Sequence, residues 1–173
     1  MAFDYNLNFE TINFRERPDL YSVGRSEQGV WLVQPYKDEL LPHWRFKTPA
    51  IAHASASTLY EKYLSYKAKD DFVGMDMARK FIQMGYTRSR RYVNHRSGRK
   101  WNEGRTRILP MERDEEKAES ARFFFRVLQW VRNDVDYKRM LTEHQRLFEH
   151  TGKISHAPLN THKQMERDVV LAW

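Results

Sequence analysis

The side chains best suited to chemistry lie in one basic stretch, residues 79–107. It holds ten basic residues and a single acid, Glu103, whereas the rest of the chain carries 20 basic and 22 acidic residues. Eight of the ten are arginines, whose planar guanidinium groups match phosphate oxygens better than the ammonium of lysine does. A local basic excess on a balanced chain indicates a binding site for an anion. The internal alternative is pairing with the acids of residues 112–119.

Aromatic residues are interspersed among these basic residues, and the combination is typical of nucleic-acid binding. Arginines neutralise phosphates, and an aromatic face that stacks on a base contributes about 1–3 kcal/mol. The predicted contacts to the nucleic-acid backbone are Arg88, Arg90, Arg91, Arg96, Arg99, Lys100, Arg105 and Arg107, and the predicted stacking residues are Tyr86, Tyr92 and Trp101. No helix-turn-helix, zinc-finger or RNA-recognition motif is visible, so we expect the protein to recognise shape or backbone rather than base sequence.

Two other functions fit the same stretch. Arg88, Arg91 and His95 could line the anion pocket of an enzyme that acts on a phosphorylated or nucleotide-like substrate. Glu27 or Asp76 would then be the acid–base partner of the histidine. An adaptor that binds an acidic protein is also consistent with the charge.

A second, shorter alternation of basic and aromatic residues lies nearer the N-terminus. In an extended conformation, Trp44 and Phe46 share one side of the chain, and His43, Arg45 and Lys47 share the other. We expect the aromatic side to anchor this segment in the core. The basic side is a candidate second wall of the same groove.

The spacing of the histidines argues against a metal site. His144, His150, His156 and His162 recur every six residues, which turns a helix by about 600°, so successive rings do not share a face. The chain has no cysteine, which excludes thiolate metal sites, disulfide scaffolds and a cysteine nucleophile. We predict no metal and no cofactor, and we interpret His144 as a hydrogen-bonded core residue.

Hydrophobic periodicity predicts an α+β fold that is mainly α, with four to five helices and a small N-terminal β-hairpin. The two strands are predicted over residues 20–23 and 30–33. The loop between them, Gly24-Arg-Ser-Glu-Gln-Gly29, lacks the Lys-Ser/Thr that ends a phosphate-binding loop. Pro35 ends the second strand or places it at an edge.

Capping signals divide the rest of the chain into helices. Thr48, then Asp70 or Asp71, then Asp136 are predicted N-caps. The predicted helices cover about residues 49–69, 72–94, 111–135 and 136–152. We expect one domain, with an arm and hairpin over residues 1–48, a helical core over 49–152 and a tail over 153–173.

Four strings of residues resemble a known protein family. They read GVWLVQPYK from Gly29, LPHWRFKTP from Leu41, DFVGMDMARKF from Asp71 and MGYTR from Met84. Over about residues 20–105 the chain is similar to the "domain of unknown function" family number 4385, short proteins of bacteria, their viruses and fungi. The resemblance implies a single compact domain and no particular activity.

Composition places the chain among globular proteins, because aromatics make up 14% of it and disordered segments carry few of them. No apolar run approaches the roughly 18 residues of a membrane span. The N-terminal residues lack the basic and apolar regions of a signal peptide. We therefore expect a cytoplasmic protein with no membrane partner.

Overall fold

The computed structural model describes residues 3–95, 97–111 and 113–149, and the regular secondary structure in these ranges is helical. The helices are α1 (Tyr36–Leu40), α2 (Pro49–Lys67), α3 (Phe72–Asn94), α4 (Glu115–Asn133) and α5 (Val135–His144). Short 3₁₀ turns occupy Pro18–Leu20 and Leu41–His43, and a π-helical turn, Gln145–Glu149, continues α5.

Side-chain caps set where α2 and α3 begin. The side-chain oxygen of Thr48 accepts a hydrogen bond from the amide of Ile51 at 3.3 Å. The proline that follows it has no amide to leave unpaired. Asp71 accepts from the amide of Gly74 at 2.9 Å. Both predicted starts are therefore confirmed, with the second of the two candidate aspartates acting as the cap.

The last two helices start at other residues than predicted. Asp114 caps α4 by accepting from the amide of Lys117 at 3.1 Å, so the helix begins after this aspartate and not at residue 111. Asp134 caps α5 by accepting from the amide of Asp136 at 2.9 Å. Asp136, the predicted cap, therefore lies inside the first turn.

Helix α3 is the centre of the fold, and α2 and α4 pack against it. Every residue from 72 to 85 is buried. A Cβ added to Gly74 would lie 2.5 Å from the ring of Tyr66 on α2, and one on Gly85 would lie 2.3 Å from the ring of Phe124 on α4. The two glycines therefore let the neighbouring helices approach α3 closely, and the helix runs through both without a break.

The predicted N-terminal β-hairpin is wrong. No β-strand occurs in the described ranges, and the single bridge between Trp101 and Ile108 lies outside any strand. Residues 21–23 and 30–33 are buried without alternation, whereas a half-buried strand would alternate. The fold is therefore mainly α, with the N-terminal segment wrapped as an irregular arm over the helices.

In place of a neighbouring strand, side chains of α3 form hydrogen bonds with this N-terminal segment. Lys80 Nζ donates to the carbonyl oxygen of Gln28 at 2.7 Å. Arg79 donates to the carbonyl oxygen of Ser26 at 3.4 Å, and Gln83 donates to the hydroxyl of the same serine at 2.5 Å. The partners of this segment are thus polar side chains of a helix, which the pattern of apolar residues does not reveal.

Two further findings complete the fold. None of the described helices is both long enough and apolar enough to cross a membrane. The predicted tail over 153–173, and the end of the last helix near Gly152, lie outside the described residues.

Candidate functional site

Backbone hydrogen bonds bring together the end of α3 and the loop that follows it. The amide of His95 donates to the carbonyl oxygen of Arg91 at 3.0 Å, and the amide of Asp114 donates to that of Val93, also at 3.0 Å. The loop therefore leaves and returns at the same turn of α3. We call residues 86–94 of α3 and residues 97–110 of the loop the arginine-rich end.

Asn102 organises a tight turn within the loop. Its side-chain oxygen accepts from the amides of Thr106 at 2.8 Å and Arg107 at 3.0 Å. The amide of Asn102 donates to the carbonyl oxygen of Arg107 at 3.0 Å, next to the bridge between Trp101 and Ile108. The turn is thus held by backbone and amide groups, which leaves the basic side chains of the loop exposed.

No carboxylate in the described part of the chain lies within ion-pair distance of the predicted backbone-contacting side chains, although the charge of Glu27 acts on Arg88. They are exposed, except for Arg88, which is half-buried. None of them takes part in an ion pair between described residues. The described members are Arg88, Arg90, Arg91, Arg99, Lys100, Arg105 and Arg107. Arg96 lies outside the described residues.

Basic residues elsewhere in the chain do form ion pairs. Arg15 lies 2.8 Å from Glu39, and Arg113 lies 2.7 Å from Glu115. The described acids at the start of α4 are therefore not engaged with the arginine-rich end. Internal neutralisation, the alternative drawn from the sequence, is absent within the described ranges.

The positive charge of Arg91 acts on the neighbouring Arg88. Burial lowers the pKa of Arg88, and the positive charge of Arg91 lowers it further, while Glu27 acts in the opposite direction. An anion close to Arg88 would favour its charged form and relieve both effects.

The first two basic residues of the stretch, Arg79 and Lys80, belong to the core. Arg79 Nε lies 2.7 Å from Asp76 Oδ1, and Lys80 Nζ lies 3.7 Å from Asp76 Oδ2. The hydroxyls of Tyr21 and Tyr137 also donate to this carboxylate, at 2.5 and 2.6 Å. Part of the basic excess counted from the sequence is therefore neutralised inside the protein.

The three predicted stacking residues differ in how much of the ring is available. Trp101 is 42% exposed. The ring of Tyr86 packs on Phe125 at 5.1 Å between centroids, and its hydroxyl accepts from Arg90 at 3.1 Å. Tyr92 is half-buried and packs on Phe46 at 6.1 Å. Trp101 offers the freest face, whereas the tyrosines offer only part of theirs.

The segment 44–47 lies against the end of α3, as the contact between Phe46 and Tyr92 shows. Trp44 is buried and Phe46 half-buried, while Arg45 and Lys47 are exposed. The predicted anchoring of the two aromatics is thus confirmed. The exposed basic side chains of this segment flank the arginine-rich end.

The acid–base group considered for an enzyme does not form. His95 is buried, and its Nδ1 has no hydrogen-bond partner among the described residues. Glu27 accepts from the hydroxyl of Thr87 at 2.7 Å. Asp76, the other proposed partner, is occupied by the two tyrosines and Arg79.

His144 lies in the core, as predicted. It is 5% exposed, and its Nε2 lies 2.9 Å from the carbonyl oxygen of Tyr21. The other three histidines of the six-residue series lie outside the described residues. The described ranges contain no cluster of three potential metal ligands.

A cleft and a smaller cavity, neither of them predicted from the sequence, contain charged residues. A cleft of about 860 Å³ contains a network in which Glu39 accepts from Arg15 at 2.8 Å and from Tyr66 at 2.6 Å. Asp71, in the same cleft, accepts from Tyr36 at 2.7 Å. Burial and these hydrogen bonds raise the pKa of both tyrosines. Arg15, Glu39 and Asp71 are paired with one another in this cleft, and no local spacing signals a network assembled from distant segments.

The second feature is a cavity of about 260 Å³ between loop 24–29 and α3. Its polar lining includes Arg25, Glu27 and Arg88, and its apolar lining is Val30, Trp31 and Met84. The sequence favours a plain hairpin connection here, with Glu27 and Gln28 at its tip able to present polar groups to a ligand. Only the folded chain brings the arginine of the loop and the arginine of α3 to one cavity.

The fold and the site define a mainly α protein with a buried central helix, α3. The arginine-rich end lies at the C-terminus of that helix. The chain belongs to the family described as "Domain of unknown function (DUF4385)", whose model matches residues 4–147. The resemblance seen in the sequence is thereby confirmed over a longer span. Searches of curated proteins and of solved structures return no match.

Proposed function

We propose that the chain binds nucleic acid, with the arginine-rich end as a basic surface for the phosphate backbone. The observation that carries the proposal is the absence of carboxylate partners for its described basic side chains. The chain pairs its arginines in several other places. The end of α3 and its loop thus present guanidinium groups to an external polyanion.

The energetics of the helix end favour this interpretation. Arg88 and Arg91 lie on adjacent turns of one face, and like charges at this spacing repel by about 0.2–0.5 kcal/mol per pair. The dipole of α3 offsets part of this cost, since cations near a helix C-terminus gain about 0.3–1 kcal/mol each. Phosphates at the same place would offset the rest and release condensed counterions.

The mode of binding follows from the side chains that surround the basic residues. Trp101 is exposed beside the loop arginines, where its ring can stack on an unpaired base. The exposed ring and the basic side chains around it therefore support contacts to the backbone and to unstacked bases.

Fluorescence anisotropy over a range of salt concentrations tests the proposal. Labelled duplex DNA, single-stranded DNA and single-stranded RNA are titrated with the purified chain. If six side chains contact phosphates of a duplex, log K falls with log[salt] at a slope of about −5. Absence of binding to all three polymers at low salt would remove the proposal. Saturable binding to a purified acidic protein, with none to polynucleotide, would identify the surface as an adaptor site.

A further inference from the structure

We propose that the cavity formed by Arg25, Arg88 and loop 24–29 is a subsite for a terminal phosphate, a phosphomonoester at the end of a strand or on a free nucleotide. The subsite adds detail to the proposed function, and its occupation by the end of a strand rests on that proposed nucleic-acid binding. Its first support is position. Arg88 belongs both to the cavity lining and to the arginine-rich end, so a strand that follows the basic surface reaches the cavity at this residue.

The charged groups of the cavity favour an anion. Among the described residues, its charged lining consists of two arginines and Glu27. Oε1 of Glu27 accepts from the Thr87 hydroxyl at 2.7 Å. Within the described ranges neither arginine takes part in an ion pair. A phosphomonoester carries about −1.5 to −2 charges at neutral pH, more than an internal diester, and matches two guanidinium groups better.

The loop wall of the cavity is held in place before any ligand arrives. Lys80, Arg79 and Gln83 bind Ser26 and Gln28 through the hydrogen bonds described above. Within the loop, the side-chain oxygen of Gln28 accepts from the amide of Arg25 at 2.7 Å. A wall fixed in this way loses little conformational entropy when it binds.

The remaining lining indicates what is attached to the phosphate. Val30, Trp31 and Met84 supply the apolar part of the cavity lining. A volume of about 260 Å³ is below the range of about 300–1,000 Å³ usual for drug-sized ligands. The cavity suits one phosphate with part of one nucleotide, rather than a longer segment of chain.

The test compares strands that differ only in a terminal phosphate. Single-stranded oligonucleotides with a 5′-phosphate, a 3′-phosphate or neither are titrated at fixed salt. The readout is the ratio of Kd values without and with the phosphate. We expect a ratio of about ten for one of the two ends, the gain of a charge-assisted bidentate contact. A ratio of one at both ends overturns the subsite.

Variants locate the effect in the cavity. Arg25→Gln and Arg88→Gln should bring the ratio close to one, and Glu27→Gln should raise it, because a repelling carboxylate is removed. Arg139→Gln, an exposed arginine outside the cavity, should leave it unchanged. Arg25 is an exposed loop residue, so its variant keeps the test open if the other does not fold. If the ratio is unchanged in Arg25→Gln and Arg88→Gln, the preference for a terminal phosphate arises at another site. That result would overturn the proposal.

Titrations with a nucleoside monophosphate and with inorganic phosphate separate this subsite from the proposed function. Strand binding with a ratio of one removes the subsite and leaves nucleic-acid binding in place. Saturable binding of the monophosphate, lost in Arg25→Gln, together with no binding of any strand, supports the cavity as a site for a free nucleotide and removes nucleic-acid binding. Inorganic phosphate binding as tightly as the monophosphate would show that the apolar wall contributes nothing.

Discussion

Arg79 Nε and Asp76 Oδ1 lie 2.7 Å apart on one turn of α3, and the aspartate side chain is fully buried. The hydroxyls of Tyr21 and Tyr137 complete the shell of this carboxylate. The network joins the N-terminal arm, α3 and α5 around one charge. The same arginine also reaches the loop that lines the proposed phosphate subsite, so the network links the core to the candidate site.

We predict that Asp76→Asn lowers the free energy of unfolding by about 3–5 kcal/mol, since removal of one partner leaves buried cations uncompensated. Arg79 and Lys80 are the cations concerned, and both are buried. Urea denaturation followed by circular dichroism measures the change. Asp19→Asn is the control, because Asp19 pairs with Arg17 at the surface, where solvent screening leaves an ion pair little effect on stability. Equal losses in the two variants would contradict the network.

The pH dependence of stability follows from the same carboxylate. Burial alone would raise the pKa of Asp76. The charges of Arg79 and Lys80, and hydrogen bonds from Arg79 and Tyr137, hold it well below its ordinary value. When folding lowers the pKa of a carboxyl group, the ionised group stabilises the protein at pH values above its pKa in the unfolded state. This stabilisation is lost as the pH falls toward its pKa in the folded state. The protein should therefore lose stability as the pH falls below about 4.

Tyr137→Phe tests this dependence, because it removes one hydrogen bond that lowers the pKa of Asp76. If the pKa of Asp76 in the folded state is higher, the loss of stability with falling pH stops at a higher pH. The stability difference between the variant and the parent should therefore stay constant between about pH 5 and pH 3, and shrink at lower pH as the folded pKa values are approached. Urea denaturation at intervals of one pH unit measures it. Parallel stability curves would show that this tyrosine does not influence the titration of Asp76.

Gly85→Ala should destabilise the protein despite the better helix propensity of alanine. The added methyl would lie 2.3 Å from the ring of Phe124, and overpacking of a core costs about 1–3 kcal/mol. The gain in propensity returns only about 1 kcal/mol. Gly104→Ala is the matched control, because its nearest atom would lie 3.8 Å away. Thermal denaturation compares the two, and a stabilised Gly85→Ala would contradict the close approach of α4 to α3.

Local signals predicted the helices better than the N-terminal segment, and the reason is physical. Caps such as Thr48 act on amides three residues away, so the sequence itself contains both partners. Residues 20–33 instead depend on Arg79, Lys80 and Gln83, more than fifty positions along the chain, and no periodicity records that dependence.

The candidate site shows the same division. A charge count along the sequence found the arginine-rich end. It also counted Arg79 and Lys80, which the fold turns inward. The cavity of Arg25 and Arg88 was missed because it joins residues 63 positions apart. Sequence gives the composition of a surface, whereas a cavity exists only after folding.

Two double variants that remove the same charge distinguish the contribution of the arginine-rich end to binding from that of the net charge of the protein. Arg99→Gln with Arg107→Gln should weaken binding of duplex DNA and reduce the magnitude of its salt slope by about two, since each phosphate contact contributes about 0.9. Arg17→Gln with Arg139→Gln removes the same charge from arginines that already have carboxylate partners. Anisotropy titrations at several salt concentrations give both slopes. Equal changes in the two proteins would mean that binding responds to overall charge and not to the arginine-rich end.

Trp101→Ala tests stacking separately from charge. Trp101 is 42% exposed beside the loop arginines, and Trp130 on α4 is 51% exposed, which makes Trp130→Ala a matched control of similar exposure. Loss of one base–aromatic stack should weaken binding of single-stranded DNA by about 1–3 kcal/mol. Duplex binding should change less, because its bases already stack on one another, and Trp101→Phe should recover most of the loss. If Trp130→Ala weakens single-strand binding as much as Trp101→Ala does, the ring beside the arginines has no special role in holding a base.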